Sequence, residues 1–197
     1  MYYNNFGERR LSMLMDFYEL TMANGYFSNG MKDEIVYFDL FFRKNPDGAG
    51  FSIVAGLEQI IQYIKELKFC EEDITYLRSK KLFTEEFLQY LKEFKFSGDI
   101  YAIPEGTPVF PNEPLITVRA KTIDAQIIET MLLLTMNHQS LIATKASRVV
   151  RAAKGKPIME FGARRSQGYD GAIYGARAAY IGGVVGTATT LADEAFG

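Results

Sequence analysis

Apolar side chains recur at helical spacing through LSMLMDFYELTMANGY, at Leu11, Leu14, Met15, Tyr18 and Met22, which predicts a short amphipathic helix stopped by Gly25. The segment IVYFDLFFRKNP, from Ile35, is dense in β-branched and aromatic residues and runs into Asn45-Pro46-Asp47-Gly48. That pattern predicts a strand entering a turn, with Arg43 and Lys44 at its mouth. Leu57, Ile60, Ile61, Ile64 and Leu67 then follow the i, i+3, i+4, i+7 spacing of a helix with one buried face. Thr84 stands where it can cap a further helix that carries Phe87, Leu88, Leu91 and Phe94.

The pattern changes at Gly98. DIYAIPEGTPVFPNEPLITVRA holds four of the chain's six prolines among alternating apolar residues, which predicts short strands separated by tight turns. The run IDAQIIETMLLLTMNHQSLIATKASRVVRAA contains no Gly or Pro and is apolar almost all round in its middle, as in a helix packed inside a larger body. A short strand, PIMEFG, follows. From Phe161 onward the chain holds 8 of its 17 glycines, set among arginines. Either backbone brought close to a ligand or helices packed tightly on strands requires such density. Strand alternating with helix after about Ile123 predicts the opening of an α/β unit, although a strand and a half cannot close a parallel sheet or barrel. LADEAFG gives no stop signal and no polar tail, so the sequence is expected to end inside a domain.

With 197 residues, 48% hydrophobic and 14% aromatic, the chain can bury a real core. Its 22 basic and 24 acidic residues are spread along the sequence without a basic block, which argues against nucleic acid as a partner. Cys70 is the single cysteine, so no internal disulfide and no cysteine-built metal cage can form; a reducing, cytoplasmic setting is expected. Apolar runs such as Ile127 to Thr135 fall far short of the roughly 20 residues needed to span a bilayer. The opening MYYNNFGERR lacks the apolar centre of a signal peptide, so a soluble, unexported protein is expected.

MEFGARRSQGYDGAIYGARAAYIGGVVGTATTLADEAFG resembles the glycine-rich region of the nicotinate phosphoribosyltransferases, where a strand ending in Phe-Gly-x-Arg-Arg is followed by a helix and then by Gly-Thr. The likeness continues through ETMLLLTMNHQSLIATKASR, PEGTPVFPNEPL, FRKNPDGAGFSIVAGLE and DFYELTMANGY, which with the glycine-rich region makes five segments in the family's order. The resemblance implies an α/β protein, with an N-terminal α+β domain at residues 1–122 and the start of an irregular (β/α) barrel, cut short, at residues 123–197. It implies an enzyme of NAD salvage that joins nicotinic acid to the ribose phosphate of PRPP. Two subunits would meet head to tail, with nicotinate, PRPP and Mg²⁺ in a cleft at their boundary. ATP would phosphorylate a histidine in a Gly-Thr-x-x-His-type segment expected shortly after Gly197. His138, the one histidine present, does not match that segment and is expected to be a packed helix residue.

Transfer of the phosphoribosyl group expels pyrophosphate through a transition state with oxocarbenium character, so arginines and flat aromatic rings are the groups required. By resemblance, Phe161 stacks on one face of the pyridine, and Tyr18 of the adjoining subunit lies against the other. Arg164 points into the cleft. Arg43 and Lys44 match basic positions that reach phosphates of the neighbouring subunit's ligand. Arg165 and Arg177 have weaker claims, as helix-flanking arginines often serve only dipoles or carboxylates. The bland alternatives are core packing for Tyr18 and Phe161, a surface ion pair for Arg164, and solvated turn charges for Arg43 and Lys44. Asp16 either orients the Tyr18 segment or helps a helix N-terminus. Nicotinamide-using relatives carry an aspartate after Gly-Thr, where this chain has Ala188; an aspartate would repel a carboxylate, so its absence favours the acid, with Thr187 as a possible donor.

Two rival readings stand beside this one. A nucleotide-binding domain fails on spacing: no G-x-G-x-x-G follows a strand, no G-x-x-x-x-G-K-[ST] occurs, and the Asp-Glu of LADEAFG lacks a threonine-rich loop after it. The other is a non-catalytic fragment or paralogue that serves in subunit association.

Overall fold

The computed structural model describes Arg9 and residues 11–197; the reading of MYYNNFGERR otherwise lies outside the described residues. Its first layer is an antiparallel sheet in the order β1 (Ile35–Leu40), β5 (Ile116–Lys121), β3 (Gly98–Ala102). Ile35 faces Lys121 and Leu40 faces Ile116 in one ladder; Gly98 faces Ala120 and Ala102 faces Ile116 in the other. Strand β5 alternates strictly, with Ile116, Val118 and Ala120 buried and Thr117, Arg119 and Lys121 turned toward solvent, the period of a half-buried strand. Gly98 is required where it stands, because a Cβ there would come within 2.6 Å of the Ala120 Cβ.

Four helices, α1 (Phe17–Ser28), α2 (Leu57–Glu66), α3 (Glu71–Ser79) and α4 (Glu85–Lys92), surround the buried face together with α5 (Thr122–Ile127). Every residue of α5 is buried, and it packs on β1, β5 and α1. Leu20, Ile60, Tyr63, Phe87, Leu91, Ile116 and Ile123 lie within one continuous core. Thr84 caps α4 as expected, its hydroxyl accepting from the Phe87 N–H at 3.2 Å.

A small antiparallel pair, β2 (Ser52–Ile53) and β4 (Pro108–Val109), leads to the second layer. Strand β2 is bonded to α6 (Glu129–Ala152): the Ile53 N–H donates to Thr144 Oγ1 at 2.8 Å and the Ala55 N–H to Ser140 Oγ at 3.0 Å. After α6 the chain forms β6 (Met159–Glu160), crosses over through α7 (Gly168–Ile181) and returns as β7 (Gly186–Thr187), parallel to β6. Helix α8 (Thr190–Phe196) ends the chain. This β-α-β unit is the α/β opening that the sequence pattern predicts. Among the described residues, no helix is long and apolar enough to cross a membrane.

Several expectations are corrected. Leu11–Met13 forms a separate 3₁₀ turn, and α1 begins only at Phe17. Gly25 does not stop α1, which runs to Ser28; a glycine inside a helix costs about 1 kcal/mol, which tertiary packing overrides. Strand β1 leaves the sheet at Leu40, well before Pro46. Helix α3 is absent from the sequence-based expectation, although it opens on three acids, Glu71, Glu72 and Asp73, of the kind that favours a helix N-terminus. The long apolar run breaks at Ile128 into α5 and α6. Helix α6 is buried on one side only, with Leu133, Leu134 and Leu141 exposed among the described residues.

Candidate active site

In parallel α/β units, ligands gather at the carboxyl ends of the strands. At that edge of β6 and β7 stand Phe161, Gly162, Arg164, Arg165, Thr187 and Ala188. Phe161 is 64% exposed, which rules out a core role within the described chain. The backbone then turns sharply through a 3₁₀ segment, Ala163–Arg165, closed by the Arg165 N–H donating to the Gly162 carbonyl at 2.8 Å. Arg164 and Arg165 are exposed and pair with no carboxylate among the described residues, so the surface ion pair envisaged for Arg164 does not form.

Glu160 holds this edge in shape. One carboxylate oxygen accepts the Gly162 N–H, and the other accepts the Thr187 hydroxyl at 2.6 Å. The Thr187 oxygen in turn accepts the Thr189 N–H at 3.0 Å, and the Ala188 N–H donates to the Glu160 carbonyl at 2.9 Å. In the described chain the Thr187 hydroxyl therefore gives its proton to Glu160. A carboxylate immediately before Phe-Gly in an apolar strand is the signal that could have marked Glu160.

Tyr18 lies elsewhere in the same chain. It is the second residue of α1, 45% exposed, and its hydroxyl donates to Glu129 Oε1 at 2.9 Å. No ring contact joins it to Phe161 among the described residues. The hydrogen bond to the Glu129 carboxylate, with some burial and the charges of Glu129, Glu19 and Asp16, pushes the Tyr18 phenol up to about 12. Next to it Glu19 has no exposed surface. Its Oε1 accepts both the N–H and the hydroxyl of Thr130, at 3.1 and 2.5 Å, while Oε2 is buried without a partner among the described residues. Burial pushes the Glu19 carboxyl up to about 7, against the pull of those two bonds and with help from Glu129 and Asp16. Asp16 makes no side-chain cap to α1; its backbone N–H donates to Thr130 Oγ1 at 3.1 Å, so it anchors the segment through the main chain.

Arg43 and Lys44 are exposed on the loop after β1 and pair with no carboxylate among the described residues. Asp47, close by in that loop, instead reaches Lys145 at 3.3 Å and Arg148 at 4.0 Å on α6. His138 is half-buried, its Nε2 3.3 Å from the Gly171 carbonyl where α6 meets α7. Arg177 is no helix-flanking residue. It sits inside α7 with its side chain only 10% exposed, gripping Glu105 at 2.7 and 2.9 Å, Glu58 at 2.6 Å and Gln139 at 3.3 Å. Glu105 also accepts the Gly56 and Leu57 N–H groups at 2.5 and 3.1 Å, so this cluster ties α7 to the start of α2. Its role is to join the two layers.

The nicotinate phosphoribosyltransferase N-terminal domain model matches residues 13–137. A nicotinate phosphoribosyltransferase of Mycobacterium tuberculosis is 42% identical over 186 residues, covering 94% of this chain and 40% of that protein. One of Bacillus subtilis is 42% identical over 191 residues, covering 97% of this chain and 39% of that protein. Among solved structures, human nicotinic acid phosphoribosyltransferase superposes with a TM-score of 0.85 at 32% identity, covering 91% of this chain and 37% of that one. A nicotinate-nucleotide pyrophosphorylase from Pyrococcus furiosus superposes with a TM-score of 0.76 at 26% identity, covering 100% of this chain and 43% of that one. The chain thus spans about two fifths of the length of the curated relatives it matches.

Proposed function

The chain belongs to the nicotinate phosphoribosyltransferase family, and we propose that the polypeptide carrying it forms nicotinate mononucleotide from nicotinic acid and PRPP in NAD salvage, with ATP hydrolysis driving the transfer. The observation that carries this reading is the edge at Phe161: an exposed ring beside two exposed, unpaired guanidiniums, at the carboxyl end of a parallel strand pair. A flat ring suits a pyridine. Free guanidiniums suit the departing pyrophosphate, whose negative charge grows as the bond to C1 of the ribose breaks. Arg164 takes the principal anion contact and Arg165 a supporting one.

On this reading residues 1–122 supply the N-terminal α+β domain and residues 123–197 open the barrel, with α5, by its packing, on the N-terminal side. Tyr18 covers the second pyridine face from another copy, in keeping with its half-exposed ring and the lack of a ring contact with Phe161 among the described residues. Arg43 and Lys44 serve phosphates in the same way across a homodimer boundary. Ala188 leaves the edge of β7 without a carboxylate, which suits an anionic acid better than an amide. Thr187 acts through Glu160, keeping the two strand ends in register. The described residues form no group of three His, Cys, Asp or Glu side chains able to grip a metal. They are therefore not a fit for a protein-built Mg²⁺ cage, and no step here runs through the ion that accompanies PRPP. His138 is given no part in ATP chemistry.

The test is product formation by the natural polypeptide that carries this sequence, supplied with nicotinate, PRPP, Mg²⁺ and ATP. Nicotinate mononucleotide is expected, with turnover lost on Arg164→Ala and KM for nicotinate raised on Phe161→Ala. Absence of product, or a rate indifferent to both substitutions, would overturn the assignment.

A further inference from the structure

The first turns of α1 and α6 are stitched together by bonds between consecutive residues: Tyr18 to Glu129, Glu19 to Thr130, and the Asp16 backbone to Thr130. With nearly half its surface exposed, the Tyr18 ring is not locked by packing. Its hydroxyl is the one polar handle by which an orientation can be fixed, and it meets a carboxylate at 2.9 Å. Such a bond to an ionised acceptor is roughly twice as strong as one between neutral groups.

Glu129 is itself held. Its second oxygen accepts from Gln126 Nε2 at 2.8 Å, and Gln126 is buried in α5. The break at Ile128 starts α6 afresh, so that its first residue reaches α1 rather than continuing the line of α5. We propose that Glu129 is a positioning residue for Tyr18, fixing the orientation in which that half-exposed ring is presented to the nicotinate pyridine. This rests on the proposed reading of Tyr18 as a ring that lies against the substrate. The carboxylates facing the hydroxyl are those of Glu129, Glu19 and Asp16, of which Glu129 alone is bonded to it.

The experiment follows the Tyr18 phenol and the enzyme's kinetics in the same natural polypeptide. Tyrosine ring-carbon NMR, assigned with Tyr18→Phe, reads the phenol's ionisation, which the bond to Glu129 pushes up to about 12. In Glu129→Ala that ionisation should fall toward the ordinary tyrosine value of about 10. KM for nicotinate should rise about threefold to tenfold as stacking is lost, with kcat within about twofold. Glu129→Gln keeps an acceptor oxygen without the charge, so it should lower the ionisation yet restore most of the KM. An unchanged Tyr18 ionisation in either variant overturns the proposal, and so does a lowered ionisation with unchanged KM in Glu129→Ala. If Glu129→Ala fails to fold, Glu129→Gln still decides through the phenol. Tyr18→Ala separates the two levels: if it leaves nicotinate KM unchanged, the reading of Tyr18 as a substrate contact fails, whatever Glu129 does to the phenol.

Discussion

Arg177→Met should weaken the fold more than any loss of an exposed charge. The guanidinium is almost wholly buried and satisfies two carboxylates and a glutamine amide oxygen at once, on α2, the turn before β4 and α6. Removing one partner of a buried pair typically costs about 3–5 kcal/mol, chiefly because the other charge is left stranded. Here the penalty is softened on two sides. Glu58 is 40% exposed, and Glu105 keeps the Gly56 and Leu57 N–H groups. A loss of about 2–4 kcal/mol is therefore expected, or roughly 5–15 °C in melting temperature for a domain of this size. Thermal unfolding followed by circular dichroism measures the loss, and a double-mutant cycle with Glu105→Gln measures the coupling. The Glu105 carboxyl adds a pH signature: burial works to raise it, but the Arg177 bond and charge and the two backbone donors more than offset this and hold it below the usual range. A depressed carboxylate stabilises above its unfolded value and loses that contribution as pH falls through the folded value. The gap between wild type and Arg177→Met should thus narrow at the acid end. A melting loss under about 2 °C, or single effects that simply add in the cycle, would refute the clamp.

Three further outcomes follow from the geometry. Glu19, raised from 4.5 to about 7, binds its proton more tightly folded than unfolded, so its stabilising contribution is complete below about pH 4.5 and is lost as pH climbs through 7, a swing of about 3 kcal/mol. Urea unfolding at pH 5 and pH 8 should show that swing reduced in Glu19→Gln, and an identical slope in both proteins would refute it. Gly182→Ala should cost about 1–3 kcal/mol, because a Cβ there would come 2.5 Å from the Ala143 carbonyl oxygen and 2.7 Å from the Ala146 Cβ; an unchanged unfolding midpoint would contradict the packing. On the proposed function, Ala188→Asp should reduce kcat/KM for nicotinate relative to nicotinamide, and an unaltered ratio in parallel assays would remove position 188 from substrate choice.

Periodicity revealed those elements whose burial follows it closely. The face of α4, its Thr84 cap and the alternation along β5 read directly from the sequence, because in each the local signal and the buried face coincide; in α2 they part, since Ile61 is exposed while Gln59 and Tyr63 take the buried face beside Ile60. The failures lie where a tertiary contact competes with a local signal. Gly25 reads as a stop, but in α1 its missing side chain costs little beside the packing of Leu20 and Ala23. The break at Ile128 carries no Gly or Pro; it arises because α5 must lie flat on the sheet while α6 turns away to meet α7 and β2. The glycines illustrate the ambiguity best. Gly182 serves helix packing against α6, whereas Gly162 lies in the turn after Phe161, where a Cβ would come 2.7 Å from the Glu160 carboxylate oxygen.

The supporting carboxylates are hard to read in the sequence for a related reason. Glu105, Glu129 and Glu160 each look in sequence like a solvated acid near a turn or helix end, yet each accepts two or more bonds that hold a neighbouring element in place. The candidate ligand contacts show the opposite trait. Phe161, Arg164 and Arg165 are exposed, and neither guanidinium has an ion pair among the described residues. The supporting carboxylates are satisfied while the residues they support are left free, as expected of a site whose inner contacts fix a geometry for use by something outside the fold. The same division explains why Tyr18 and Phe161 face solvent in different parts of one chain. Each is held from behind, Tyr18 by Glu129 and the Phe161 turn by Glu160, and each presents an aromatic ring outward. On the proposed function, two rings so prepared are completed by a ligand that lies between copies, and loss of either supporting carboxylate should damage substrate binding before it damages the fold.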